Sequence, residues 1–159
     1  MDFMADALIS VKKFRTFNLI DDFNREGLAI DAATSITGKR VVDILTRICS
    51  ERGYPEMIRM DNGPEFRSIS LVKWFKKNNV KLAYIEPGKP AQNAYIERFN
   101  RSFREEVLDM YLFRNIKEVN RITGEWLQEY NHNRPHESLG GKTPVQFANS
   151  EGDGGTSGR

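Results

Sequence analysis

The stretch MIRMDNGPEF, residues 57–66, delivers an acid at the end of a short apolar run and then turns away at once. Met57, Ile58, Arg59 and Met60 read as a strand, and Asn62-Gly63-Pro64 stops it. Asp-Asn-Gly-Pro is turn chemistry in any protein. Yet the carboxyl end of a strand is also where open α/β sheets gather their reactive groups. Asp61 can therefore shape a turn, hold a ligand, or both.

Both flanks of this stretch are helical. Residues 38–52 place Val41, Ile44, Leu45 and Ile48 at helical spacing, with Thr37 as candidate cap and Gly53 and Pro55 as the stop. A second helix, capped by Ser68 or Ser70, turns Leu71, Val72 and Phe75 inward and ends at Asn78-Asn79. Residues 80–85 form the next strand. Upstream, residues 14–20 (FRTFNLI) and 27–32 read as strands, and residues 3–11 are a weaker candidate. Three strands followed by helix, strand, helix, strand predict an α/β fold, with a five-stranded mixed sheet flanked by helices.

Downstream, EPGKPAQN (residues 86–93) is a loop by its prolines and glycine. A helix from Asn93 or Ala94 carries the stripe Ile96, Phe99, Phe103 and Val107. The next, over residues 116–132, sets Val119, Ile122, Trp126 and Tyr130 on one side. Their positions in apolar patterns make Trp74 and Trp126 packing residues. Beyond Pro135 the chain is irregular until Pro144, which suits the start of a final short helix.

The chain has 159 residues, 39% of them hydrophobic, which suits one domain with a sizeable core. No apolar run approaches the roughly 20 residues that span a bilayer, and no signal-peptide pattern opens the chain. A soluble intracellular protein is expected. Cys49 is the only cysteine, so an internal disulfide or a cysteine cluster for zinc is excluded. His132 and His136 alone make a poor zinc pair, and a lock on the last segment against the core suits them better. A net charge of +2 is weak evidence for nucleic acid. The clusters Lys12, Lys13, Arg15 and Lys73, Lys76, Lys77, and the helical set Arg98, Arg101, Arg104, can track phosphates or be solvated surface.

A metal site here must rest on carboxylates. The topology can bring together Asp2, at the start of the first strand, Asp61, and Glu97, in the first turn of its helix. Three close carboxylates repel unless a cation joins them or one takes a proton. Hard cations such as Mg²⁺ prefer these oxygen ligands, and two ions about 4 Å apart suit phosphodiester chemistry.

The ordered set resembles the catalytic core of bacterial IS3-family insertion-sequence transposases, within the wider retroviral integrase-like superfamily. The matching pieces are MDFM at Asp2, FRTFNLIDDFNRE, RMDNGPEF at Asp61, PGKPAQNAYIERFNRSFREE at Glu97 and EYNHNRPHESLGGKTPVQF near the end. Thirty-five residues lie between Asp61 and Glu97, the spacing for which these enzymes are named. The resemblance implies an RNase H-like core over residues 1–149 and absence of the family's N-terminal DNA-binding region; residues 150–159, ending in EGDGGTSGR with no apolar anchor, are expected to be a disordered tail. It implies Asp2, Asp61 and Glu97 as the catalytic and metal-binding triad, with two Mg²⁺ ions in the reacting complex and Mn²⁺ as substitute. The expected reaction is single-strand cleavage at transposon ends, then strand transfer by 3′-hydroxyl attack on a phosphodiester.

Double-stranded DNA is the expected partner, with self-association in the synaptic complex, no membrane and no small-molecule cofactor. The bacterial cytoplasm is the expected location. Lys89, Gln92, Asn93, Arg98, Arg101 and Arg104 are the DNA-binding candidates, and Asn100 fits a site-shaping hydrogen bond. The competing reading is a catalytically impaired DNA-binding remnant.

Overall fold

The computed structural model describes residues 1–152. Its organising strand is β2 (Lys13–Ile20), which pairs antiparallel with β1 (Asp2–Ala7) on one side and β3 (Gly27–Ala33) on the other. Alternation along β2 sorts its side chains between two layers. Phe17 and Leu19 meet α1 (Gly38–Arg52) and α2 (Ile69–Lys77), which contribute Val41, Ile44, Leu45, Leu71, Trp74 and Phe75. Phe14, on the opposite face, packs with Phe103 of α3 (Ala94–Phe103) and Val119 of α4 (Ile116–His132). A smaller cluster of Ile96, Phe99 and Tyr130 joins the two later helices.

The helices begin where local chemistry starts them. Thr37 accepts a hydrogen bond from the Arg40 amide, and Ser68, not Ser70, caps α2 by accepting from Leu71. Gly53, at φ 86°, ends α1 in a region that favours glycine. Asn115 caps α4 by accepting from the Glu118 amide at 2.9 Å. The expected stripe of Ile96, Phe99, Phe103 and Val107 is buried throughout, although the chain widens into a π-helical turn over Arg104–Leu108.

Five strands form, but not one five-stranded mixed sheet. β4 (Met57–Met60) and β5 (Lys81–Tyr84) make their own parallel ladder. The two ladders meet where the Met1 amino group donates to the Arg59 carbonyl at 2.7 Å. β4 is four residues long and faces the very start of β1, so the overlap is too short for a shared ladder. The last helix, α5 (Pro144–Gly152), starts at Pro144 as expected and takes in the first residues of the segment expected to be disordered. The rest of that segment lies outside the described residues.

The outer edge of β3 is covered by side chains of α4 that imitate a strand. Asn120 accepts from the Ala32 amide and donates to its carbonyl, both at 3.0 Å. Three helical turns on, Asn131 does the same to Gly27, both at 2.8 Å. These pairs satisfy backbone groups that would otherwise be buried unpaired. A Cβ at Gly27 would collide with Leu127 and come within 2.9 Å of Phe99, so glycine is what lets the helix approach this closely. Asn131→Leu strands both Gly27 groups and is expected to destabilise the fold by about 2–4 kcal/mol in denaturant unfolding. A loss below about 0.5 kcal/mol would show that the clamp does not support the sheet edge.

Candidate active site

Asp61 leaves β4 and turns the chain with its own side chain. Its Oδ1 accepts the Gly63 amide at 2.8 Å, and Asn62 donates to the Ile85 carbonyl at 3.1 Å, tying the turn to the strand beside it. Pro64 opens a single 3-10 turn over Pro64–Arg67 that drives Phe66 into the core. Phe66 is fully buried, stacks on Phe3 at 4.8 Å and has its carbonyl bonded by the Tyr84 hydroxyl at 3.2 Å. Glu65 pairs with Arg15 at 2.7 Å. The anchored Phe66 thus fixes a turn whose first residue stays at the surface.

Asp2, Asp61 and Glu97 line one open cleft of about 360 Å³. Ile85, Glu86, Gly88, Lys89, Pro90 and Asn93 complete its wall. Asp2 is half-buried, while Asp61 and Glu97 are exposed. The Asp2 carboxylate is held twice, by the Phe3 amide on Oδ1 and by the Asn100 side chain on Oδ2, each at 2.8 Å. Asn100 in turn accepts from Asn18 at 2.8 Å. Asn100 lies one turn after Glu97 on α3, so the same helix presents one acid and braces another. Its expected site-shaping role fits this geometry. Asn18 was not singled out by sequence reading, though a lone amide in the apolar strand FRTFNLI was a usable signal.

Burial raises the Asp2 carboxyl pKa above its ordinary value, and the charge of Asp61 pushes it the same way. The Phe3 amide, the terminal amino group and Asn100 pull it back. A carboxyl raised on folding adds stability at low pH that is lost as pH rises through its folded value. Among the described residues, no three His, Cys, Asp or Glu side chains lie close enough to hold a metal ion by themselves. The donor chemistry nevertheless fits a hard cation: the cleft offers carboxylate oxygens and no thiolate or imidazole.

The DNA-binding candidates divide. Lys89 and Asn93 line the cleft, with Lys89 paired to Glu86 at 2.6 Å. Gln92 accepts the Glu86 amide at 3.0 Å, bracing the loop. Arg98 and Arg101 are exposed on α3. Arg104 is engaged within the fold, donating to the Ala5 carbonyl at 2.8 Å and lying 3.7 Å from Asp6. Arg25 stacks on Tyr95 at 3.6 Å and so ties the β2–β3 turn to the start of α3. His136 packs edge-on to Tyr130 at 5.0 Å, and its amide bonds Lys142, which locks the last segment. Trp74 is buried, and Trp126 packs on Phe99 and Phe103.

Repulsion across the cleft is measurable. Asp61→Asn is expected to lower the Asp2 carboxyl pKa without returning it to 3.8, because burial remains. A carboxyl-carbon NMR titration reads the midpoint, and an unchanged value would contradict coupling between the two acids.

Sequence comparisons place the chain in a known family. The integrase core domain family matches residues 1–90 and, through a second profile of the same description, residues 78–144. An insertion element IS476 protein of Xanthomonas euvesicatoria is 40% identical over 93% of this chain and 43% of its own length. An insertion element IS407 protein of Burkholderia multivorans is also 40% identical, over 93% of this chain and 53% of its own. The chain thus spans about half the length of these relatives. Among solved structures, the HTLV-2 integrase catalytic core domain in complex with magnesium superposes with a TM-score of 0.65 at 18% identity, covering 92% of this chain and 94% of that one. The BIV integrase catalytic core domain gives 0.66 at 15% identity, covering 96% and 95%. These likenesses establish the RNase H-like α/β fold of integrase cores. The chain belongs to the integrase core domain family, and its 40%-identical relatives are insertion-element proteins.

Proposed function

We propose that this core catalyses divalent-cation-dependent cleavage of one DNA strand at transposon ends and joins the new 3′ end to a target strand. The observation that carries the reading is the opening of Asp2, Asp61 and Glu97 onto one cleft, from three elements far apart in sequence. Asp2 is braced from below, while Asp61 and Glu97 stand at the mouth, where a phosphodiester can reach them. Mg²⁺, or Mn²⁺ in its place, would be held by these three acids and would supply charge stabilisation at the reacting phosphate. Mg²⁺ sites often combine one or two carboxylates with substrate phosphate oxygens, which suits a cleft that does not close a coordination shell alone.

In the first step a water oxygen bonds to phosphorus and the P–O3′ bond breaks. The leaving oxygen takes a proton, giving a free 3′-hydroxyl and a 5′-phosphate. In the second step that hydroxyl oxygen loses its proton and bonds to phosphorus of another strand, the P–O3′ bond there breaks, and the displaced 3′ oxygen takes up a proton to become a free hydroxyl. This chain's residues bind and orient. Lys89 and Asn93 sit where they can hold a phosphate and a sugar or base edge beside the reacting group. Arg98 and Arg101 can follow the backbone, positioning the duplex without reading its sequence. Gln92 acts through the loop, and Arg104 through the hold of α3 on β1. Double-stranded DNA is the substrate on this reading, two copies or more assemble on paired ends, and the reaction takes place in the bacterial cytoplasm on the nucleoid. Among the described residues no helix is long and apolar enough to cross a membrane.

Asp61→Asn and Glu97→Gln are expected to reduce Mg²⁺-dependent strand cleavage by more than about 100-fold, beyond what loss of an outer supporting group costs. Both side chains are exposed, so Tm is expected to stay within about 2 °C. A gel assay with a labelled duplex reads the products. Equal cleavage by all three proteins, or none by the parent in either Mg²⁺ or Mn²⁺, would overturn the reading.

A further inference from the structure

Asn18 is fully buried in the middle strand, with Asp2 directly opposite in register. Its side chain faces Asn100, which faces Asp2. The direction of these bonds follows from chemistry. An ionised carboxylate only accepts, so the Asn100 NH₂ must point at Asp2. The Asn100 oxygen must then face Asn18, and Asn18 must present its own NH₂. Reversing either amide would set oxygen against oxygen in a buried place.

This arrangement has a cost that the fold keeps. The Asn18 NH₂ also reaches the Met4 sulfur at 3.3 Å, while its Oδ1 is buried with no partner. A buried acceptor left unsatisfied is destabilising, and such exceptions call for an explanation. An apolar residue would suit a strand whose neighbours Phe17 and Leu19 are buried, unless the amide acts beyond packing.

We propose that Asn18 is a positioning residue: it fixes the Asn100 amide with its donors toward Asp2, and so holds the Asp2 carboxylate turned into the cleft. It does not touch the substrate. The proposal deepens the active-site reading, and its metal arm rests on that reading. Outer groups that orient metal-binding side chains commonly affect affinity by about 10–100-fold.

The test uses Asn18→Leu, Asn100→Leu and the double variant. Leucine keeps the approximate shape of asparagine and removes the orphaned oxygen. Side-chain amide NMR of Asn100 is the first readout and needs no metal. Asn18→Leu is expected to shift the Asn100 NH₂ signals and speed their exchange about 10-fold or more, as expected for loss of a buried hydrogen bond worth about 1.4 kcal/mol. Unchanged signals would overturn the proposal. Mn²⁺ titration calorimetry of each protein bound to a short DNA duplex is the second readout. Each single variant is expected to weaken binding about 10-fold, and the double variant no more than Asn100→Leu alone, because Asn18 acts through Asn100. Additive losses would mean that Asn18 acts on its own and would also overturn it. A parent protein–duplex complex that binds no Mn²⁺ would count against the active-site reading, while the NMR result would still decide the role of Asn18. If Asn18→Leu does not fold, Asn18→Ala carries the same two measurements.

Discussion

One hydrogen bond, from Asn100 to Asp2, joins the helix that presents Glu97 to the strand that opens the chain. The site depends on it because the charge of Asp61 opposes that of Asp2, so attraction between the acids does not gather them. Something else must hold their elements in place. For α3 that is the burial of Ile96, Phe99 and Phe103, which presses the helix beneath the sheet. Arg25 pins its first turn through Tyr95, and Arg104 pins its end through Ala5. The carboxylates ride on a framework built from apolar packing and amide pairs.

The geometry makes the two readings of Asp61 compatible, since closing the turn does not withdraw the side chain from the cleft. One oxygen closes the turn on the Gly63 amide, and the side chain still lines the cleft. Phe66 makes this possible by anchoring the far end of the turn in the core. A glycine at position 63 matters locally, since a Cβ there would come within 2.8 Å of both the Asp61 and the Glu65 carboxylates.

Much of the fold was legible because it rests on periodicity. The stripes Val41, Ile44, Leu45, Ile48 and Ile96, Phe99, Phe103, Val107 are buried as their spacing predicts. That Asp2, Asp61 and Glu97 come together at one cleft was expected from the topology, while their metal-binding role comes from the family resemblance and belongs to the proposed function. What could not be read was anything depending on a partner distant in sequence. Asn120 and Asn131 look like ordinary polar positions of a helix until β3 is laid against them. Asn18 looks like an irregularity in a strand until Asn100 is beside it. The division of the sheet was equally hidden, because strand order says nothing of how far β1 and β4 overlap. Arg104 looks like a third backbone-following arginine, and only the contact with β1 shows how its donors are engaged.

The most direct measurement is anomalous diffraction at the manganese edge from crystals grown with Mn²⁺ and a short DNA duplex. The account predicts manganese in the cleft between Asp2, Asp61 and Glu97, beside a phosphate of the bound strand. DNA lying on the cleft with no manganese there, or manganese bound only at other sites, would contradict the claim that these acids form a phosphoryl-transfer centre.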